Sequence, residues 1–105
     1  MRDQVHRDER FTSALASAAA LFINRESNRR SLITVTRVEI EDGGKIARIF
    51  VSVMPQNQTR AVADFLSRQQ QEFIAFLRTQ ARFHIIPRVT LLPDPEMMGA
   101  ENASV

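Results

Sequence analysis

Between Leu32 and Met54 the chain reads LITVTRVEIEDGGKIARIFVSVM, and this stretch limits the possible folds more than any other. Ile33, Val35, Val38, Ile40, Ile46, Ile49, Phe50, Val51 and Val53 are β-branched or aromatic, the residue types that suit a pleated, half-buried surface. Asp42-Gly43-Gly44 tolerates the positive φ that a tight hairpin turn demands. In the second half Ala47, Ile49, Val51 and Val53 share one face at period two, with Arg48, Phe50 and Ser52 on the other. The first half alternates less cleanly. Val38 and Ile40 share a parity with Leu32, Thr34 and Thr36, and Ile33 and Val35 lie opposite. A two-stranded hairpin with one apolar face needs a cover, so the flanking segments must supply one.

They carry helical patterns. From Arg7 to Asn24, Phe11, Leu15, Ala18 and Phe22 recur at helical spacing, with Ala14 and Leu21 widening the stripe. Asp8 and Glu9 fit a first helical turn, and Arg25 follows the expected end of the helix. After the hairpin, Pro55 stops the strand and Thr59 or Asn57 can cap a helix. Arg60 to Arg82 places Ala61, Phe65, Leu66, Phe73, Ile74, Leu77 and Ala81 on a stripe that lapses between Ser67 and Glu72. That lapse predicts two helices, or one kinked near Gln70. Phe83 to Leu92 reads as a third strand, held to an edge or a bulge by Pro87. The expected fold is α+β in the order α-β-β-α-α-β, a three-stranded sheet with helices on one face. Residues 1–95 form one domain, and 96–105 a flexible acidic tail.

At 105 residues the chain is long enough for one core without staples. It has no cysteine, which excludes disulfides and thiolate metal sites. No apolar run approaches the ~20 residues of a membrane span, and the N-terminal MRDQVHRDER is too polar and acidic for a signal peptide. The expectation is a soluble cytoplasmic monomer with no membrane association.

Enzyme chemistry finds no footing. There is no phosphate-cradling glycine loop, His6 and His84 stand alone, and Ser52 and Ser67 have no histidine partner in a recognisable motif. Asp94 and Glu96 flank Pro95 as turn residues rather than as a paired acid and base. No cofactor, metal or small-molecule substrate is implied. The charge is more telling. The net +2 conceals +2 on residues 1–30, +3 on residues 60–88 and −3 from Val89 onward. Thirteen of the fourteen basic residues are arginine, whose planar fork suits phosphates and base stacking. A GC-rich genome also favours arginine codons, and any soluble helix needs charge outside. A purely solubilising face, however, mixes Glu with Arg. Arg60, Arg68, Arg78, Arg82 and Arg88 meet only Asp64 and Glu72 in their half of the chain. The seven aromatics are all Phe, mostly at core spacing, which favours contact with phosphates and shape over an aromatic base platform.

In this order of elements the chain resembles bacterial ribosome-binding factor A. The likeness runs through His6-Arg7-Asp8-Glu9-Arg10-Phe11, Asn28-Arg29-Arg30, Ile33 to Ile40, Ala47 to Ser52, and Arg82 to Val89 followed by Asp94. It implies a type II K-homology-like fold. It also implies a non-catalytic, cytoplasmic assembly factor, active in cold adaptation, that binds the small ribosomal subunit through its ribosomal RNA during late maturation and rRNA processing. Carried over by position, the RNA-facing residues are Arg7, Arg10, Arg29, Arg30, Arg78, Arg82 and Arg88, and Arg68 of the helical cluster joins them. Two places depart from the family. Gln69-Gln70-Gln71-Glu72 stands where the family kinks its last helices with Ala-x-Gly, and Gly43-Gly44 stands where Asp-Leu is usual in the hairpin turn. Two other readings accommodate the same residues: a protein-interaction module using the acidic tail or the Pro87 strand, and a K-homology-like RNA binder unconnected with ribosomes.

Overall fold

The computed structural model describes residues 2–96, with side chains from Glu9 onward. Six main elements follow in the expected order: α1 (Arg2–Glu26), β1 (Leu32–Glu41), β2 (Ile46–Met54), α2 (Thr59–Arg68), α3 (Gln70–Arg78) and β3 (Arg88–Pro93). β2 is central, antiparallel to β1 and parallel to β3, so the sheet is mixed and β3 is an edge strand. The acidic tail expected at 96–105 lies outside the described residues, apart from Glu96.

The uneven alternation of β1 has a physical cause. The register slips between Val35 and Arg37, a bulge that leaves Thr36 without a direct partner. One extra residue reverses the phase of every side chain after it. Ile33 and Val35 before the bulge, and Val38 and Ile40 after it, therefore all oppose the core-facing residues of β2, in the pairs Ile33–Val53, Val35–Val51, Val38–Ile49 and Ile40–Ala47. The turn is built as its composition requires, with Asp42, Gly43 and Gly44 all at positive φ. Gly43 tolerates this at no steric cost, while Asp42 is one of the few side-chain-bearing types that does so readily.

The sheet face of Ala47, Ile49, Val51, Val53, Val89 and Leu91 is buried under the helices. From α1 come Leu15, Ala18, Ala19, Phe22 and Ile23, from α2 Val62 and Leu66, and from α3 Phe73, Phe76 and Leu77. Phe22 sits against Phe73 and Phe76, with ring centroids 5.2 and 5.6 Å apart. These rings lock the first helix to the last.

Several expectations needed correcting. The helix α1 starts at Arg2, not at Arg7, and Leu21 is 57 % exposed because the stripe widens toward Ala19 and Ile23 instead. Ala61 is exposed, and Val62 takes its place in the core. Thr59 opens α2 but does not cap it with its side chain; its hydroxyl donates to the Gln56 carbonyl at 2.6 Å. The helix α3 stops at Arg78, short of Ala81 and Arg82. The N–H groups of Thr79, Gln80 and Phe83 donate to the carbonyls three residues before them, at 3.0, 3.0 and 3.1 Å, which unwinds the chain into tight turns. The third strand begins at Arg88 rather than Phe83, because Pro87 has no N–H to offer the ladder and Arg88 is the first residue that can donate, to Lys45 at 2.8 Å.

The helical break falls at Gln69, where φ is −90° and ψ is 1°. Its N–H still reaches the Phe65 carbonyl at 3.0 Å, and its carbonyl accepts from Phe73 at 2.8 Å. The bend thus keeps its backbone bonds and uses a negative φ open to any residue. No glycine is needed.

Candidate nucleic-acid interface

Ion pairs separate the arginines into two populations. On the open face of the sheet, Arg37 pairs with Glu39 and Asp94, and Arg48 with Glu39 and Glu41. No other arginine has an ion-pair partner among the described residues. Arg10, Arg29, Arg30, Arg68, Arg78, Arg82 and Arg88 are all exposed. Their charges are uncompensated by direct contact, which is what a phosphate-binding surface requires. Arg7 belongs to α1, but its side chain lies outside the described residues.

The structure gathers these arginines beside the middle of α1 and just past its far end. Along the middle turns, Arg10, Ser13, Ser17 and Glu9 line a notch of about 320 Å³ with Arg82. The convergence has a structural cause. Phe83 packs edge-on against Phe11 with centroids 6.3 Å apart, and the Arg82 guanidinium lies 5.5 Å from the centre of that Phe83 ring. The turn after α3 is thereby pinned to the N-terminal half of α1 at Phe11. At the far end, about 20 Å away by helical rise, the connection between α1 and β1 carries Arg29 and Arg30. Arg68, at the end of α2, lines a small groove with Asn28, Ser31, Gln58 and Phe65.

The connection itself is tightly turned. Arg29 has φ of 66°, a left-handed conformation that costs a non-glycine residue about 1 kcal/mol. The Asn28 side-chain oxygen accepts from the Arg30 N–H at 3.0 Å and holds the turn. Two expected residues join neither group. Arg78 occupies the last turn of α3, and Arg88 opens β3 with the parity opposite to buried Val89, which puts it on the open sheet face.

Sequence reasoning missed two features. Arg25 lies over the Phe76 ring, 4.9 Å from its centre, and adds an exposed arginine beside α3. More consequential is Asp94. Only 4 % exposed, it accepts from Thr36 Oγ1 at 2.8 Å, from Arg37 Nε at 3.3 Å and Nη2 at 3.4 Å, and from the Glu96 N–H at 3.0 Å. Burial pushes its carboxyl up. The hydrogen bonds from Arg37, Thr36 and the Glu96 backbone, with the Arg37 charge, outweigh burial and hold it below the ordinary carboxylate range. Arg37 in turn lies over Phe50, 4.0 Å from the ring centre, which explains how Phe50 is buried on the face without helices. The signal for this cluster was present in the sequence as the broken alternation at Thr36-Arg37. It marked the bulge that brings Thr36 and Arg37 to the end of β3.

Among the described residues no group of three or more His, Asp or Glu is placed to hold a metal, and no helix is long and apolar enough to cross a membrane. The helix order, the mixed sheet and the bend between the last helices define a type II K-homology-like α+β domain with a basic, largely unpaired arginine surface. Solved structures of ribosome-binding factor A share this architecture. The crystal structure of that protein from Thermus thermophilus is similar with a TM-score of 0.69 at 24 % identity, over 81 % of this chain and 92 % of the other. The solution structure of a Thermotoga maritima protein, a candidate ribosome binding factor A, gives 0.65 at 18 % identity over 79 % and 82 %. A homology model of the Thermus thermophilus factor, fitted into the cryo-EM map of a 30S complex, gives 0.60 at 27 % identity over 77 % and 88 %. No protein-family model and no curated protein matches the chain. The fold is that of ribosome-binding factor A, and the family resemblance seen in the sequence is borne out.

Proposed function

We propose that this chain is a non-catalytic ribosome assembly factor. It binds the small ribosomal subunit through its ribosomal RNA during late maturation, when rRNA processing is completed. It acts by occupancy: it holds an immature RNA conformation and leaves when the subunit is mature. The observation that carries this reading is the pairing of the ribosome-binding factor A fold with exposed arginines that have no carboxylate partner among the described residues. The likeness to a factor fitted into a 30S complex supports the small subunit as the target. A cytoplasmic monomer active in cold adaptation accords with the same reading.

The test is co-sedimentation of the purified protein with small subunits, large subunits and whole ribosomes at low and moderate salt. Selective pelleting with the small subunit, lost as salt rises, is the expected result. Each phosphate neutralised contributes about 0.7–0.9 to the log–log salt slope. Protein left at the top of every gradient would refute the proposal and limit the likeness to fold.

A further inference from the structure

A cavity of about 580 Å³ opens where the α1–β1 connection meets the end of the hairpin, lined by Arg29, Arg30, Asn24, Ser31, Leu32 and Met54 among others. Its size falls in the range of small-ligand clefts. Its lining divides into two chemistries. One side is the pair of guanidinium-bearing residues, exposed and without a carboxylate partner among the described residues. The other is Leu32 and Met54, cross-strand partners at the open end of the sheet, 66 % and 58 % exposed. Two large apolar side chains left in water beside two unpaired cations do not serve the core, which is complete without them. No acidic residue lines the cavity. Arg29 is moreover held in the left-handed region by the Asn28 turn, a conformation that persists only where its surroundings enforce it and that concentrates at binding sites.

A nucleotide has the matching division: an anionic phosphate at one end and a flat, largely apolar base face at the other. A base inside a duplex presents only its edges, so its face reaches Leu32 and Met54 only when unstacked. We propose that this cavity binds a single unpaired nucleotide of the RNA. Arg29 and Arg30 take its phosphate, Leu32 and Met54 pack on its base, and Asn24 and Ser31 supply hydrogen bonds at the rim. The inference rests on the RNA-binding reading above and gives it a preference for unpaired RNA.

The experiment measures anisotropy of a labelled, unstructured oligoribonucleotide and of a matched RNA duplex against the full chain. Three variants are compared: R29Q/R30Q, L32S/M54S, and R60Q, a control on α2 that does not line the cavity. All these side chains are exposed, and thermal melts confirm folding. L32S/M54S is expected to weaken binding of the unpaired RNA by about fivefold, the lower end of what a base-packing side chain carries, and to leave the duplex unchanged. R29Q/R30Q is expected to weaken both and to flatten the salt slope on the unpaired RNA by about 1.4. R60Q should keep the preference for unpaired RNA. Equal losses on both RNAs with L32S/M54S, or none on either, overturn the inference, as does a wild type that pellets with small subunits yet binds no unpaired oligonucleotide. A wild type that binds neither subunit nor RNA overturns both this inference and the proposed function.

Discussion

Replacing Asp94 by Ala tests whether the open face of the sheet is held by the contact between β3 and the β1 bulge. The substitution removes the acceptor for Thr36, for two nitrogens of Arg37 and for the Glu96 N–H. The damage is bounded by what these donors retain. Thr36 Oγ1 still donates to the Phe50 carbonyl at 3.2 Å, and Arg37 still pairs with Glu39 and covers Phe50. No charge is stranded, so the ~3–5 kcal/mol of a broken buried pair does not apply. One charge-assisted bond and weaker companions give about 2 kcal/mol, or about 10 °C in the melting temperature of a domain this size.

The pH dependence sharpens the test. Because the folded-state pKa of Asp94 is lowered, its stabilisation is complete above the unfolded carboxylate range of about 4 and is lost as pH falls through the folded value. Urea unfolding of wild type and Asp94→Ala should therefore show a gap that is constant above about pH 5 and narrows as pH falls below the unfolded carboxylate range of about 4. A cost below about 0.5 kcal/mol, the range of featureless surface changes, would refute the structural role of the cluster. A gap that stays constant into acid would refute the assignment of the shift.

Other perturbations probe separate parts of the molecule. Gln69→Gly should destabilise the domain by about 0.5–1 kcal/mol in chemical denaturation, because the bend has negative φ and glycine only adds freedom to the unfolded chain. A gain in stability would show that the bend is strained. Phe22→Ala empties the centre of the ring cluster with Phe73 and Phe76 and should cost about 3–5 kcal/mol, read as a loss of the cooperative melt near room temperature. Arg78→Glu, Arg82→Glu and Arg88→Glu together should abolish pelleting with the small subunit. Each of the three is exposed and without an ion-pair partner among the described residues, so the change should leave the melt within about 0.5 kcal/mol of wild type at Arg78 and Arg88, and within about 1 kcal/mol at Arg82, which also loses its contact with the Phe83 ring. Retained pelleting would move the interface away from these residues.

The order of elements was legible because it depends on period and punctuation. Ala47, Ile49, Val51 and Val53 announce a half-buried strand by parity alone, and all four are buried. Asp42-Gly43-Gly44 announces its turn by the conformations it tolerates. Element ends were less legible. The end of α3 depends on whether Thr79 and Gln80 bond three or four residues back, a choice that the helical stripe through Ala81 does not encode. The bulge was visible only as noise in the alternation of β1. A single sequence cannot distinguish a weak strand from a strong one whose phase is reset.

The arginine surface raises the same problem in electrostatic form. Counting charges along the chain suggested a basic helical half, and the structure adds which charges are spent. Arg37 and Arg48 are the basic residues nearest the middle of the sheet, and three carboxylates, Glu39, Glu41 and Asp94, are committed to them. That lattice has net −1, and Glu96 and Glu101 contribute −2, so the remaining residues carry +5 against the +2 of the whole chain. Asp94 is separated from Arg37 by more than fifty residues, so no local window could have assigned them to each other. The acids that look like general counterweights are thus bound into the open face of the sheet. The arginines beside α1 and the last two helices keep no ion-pair partner among the described residues, which is the condition under which the proposed RNA partner gains most from counterion release.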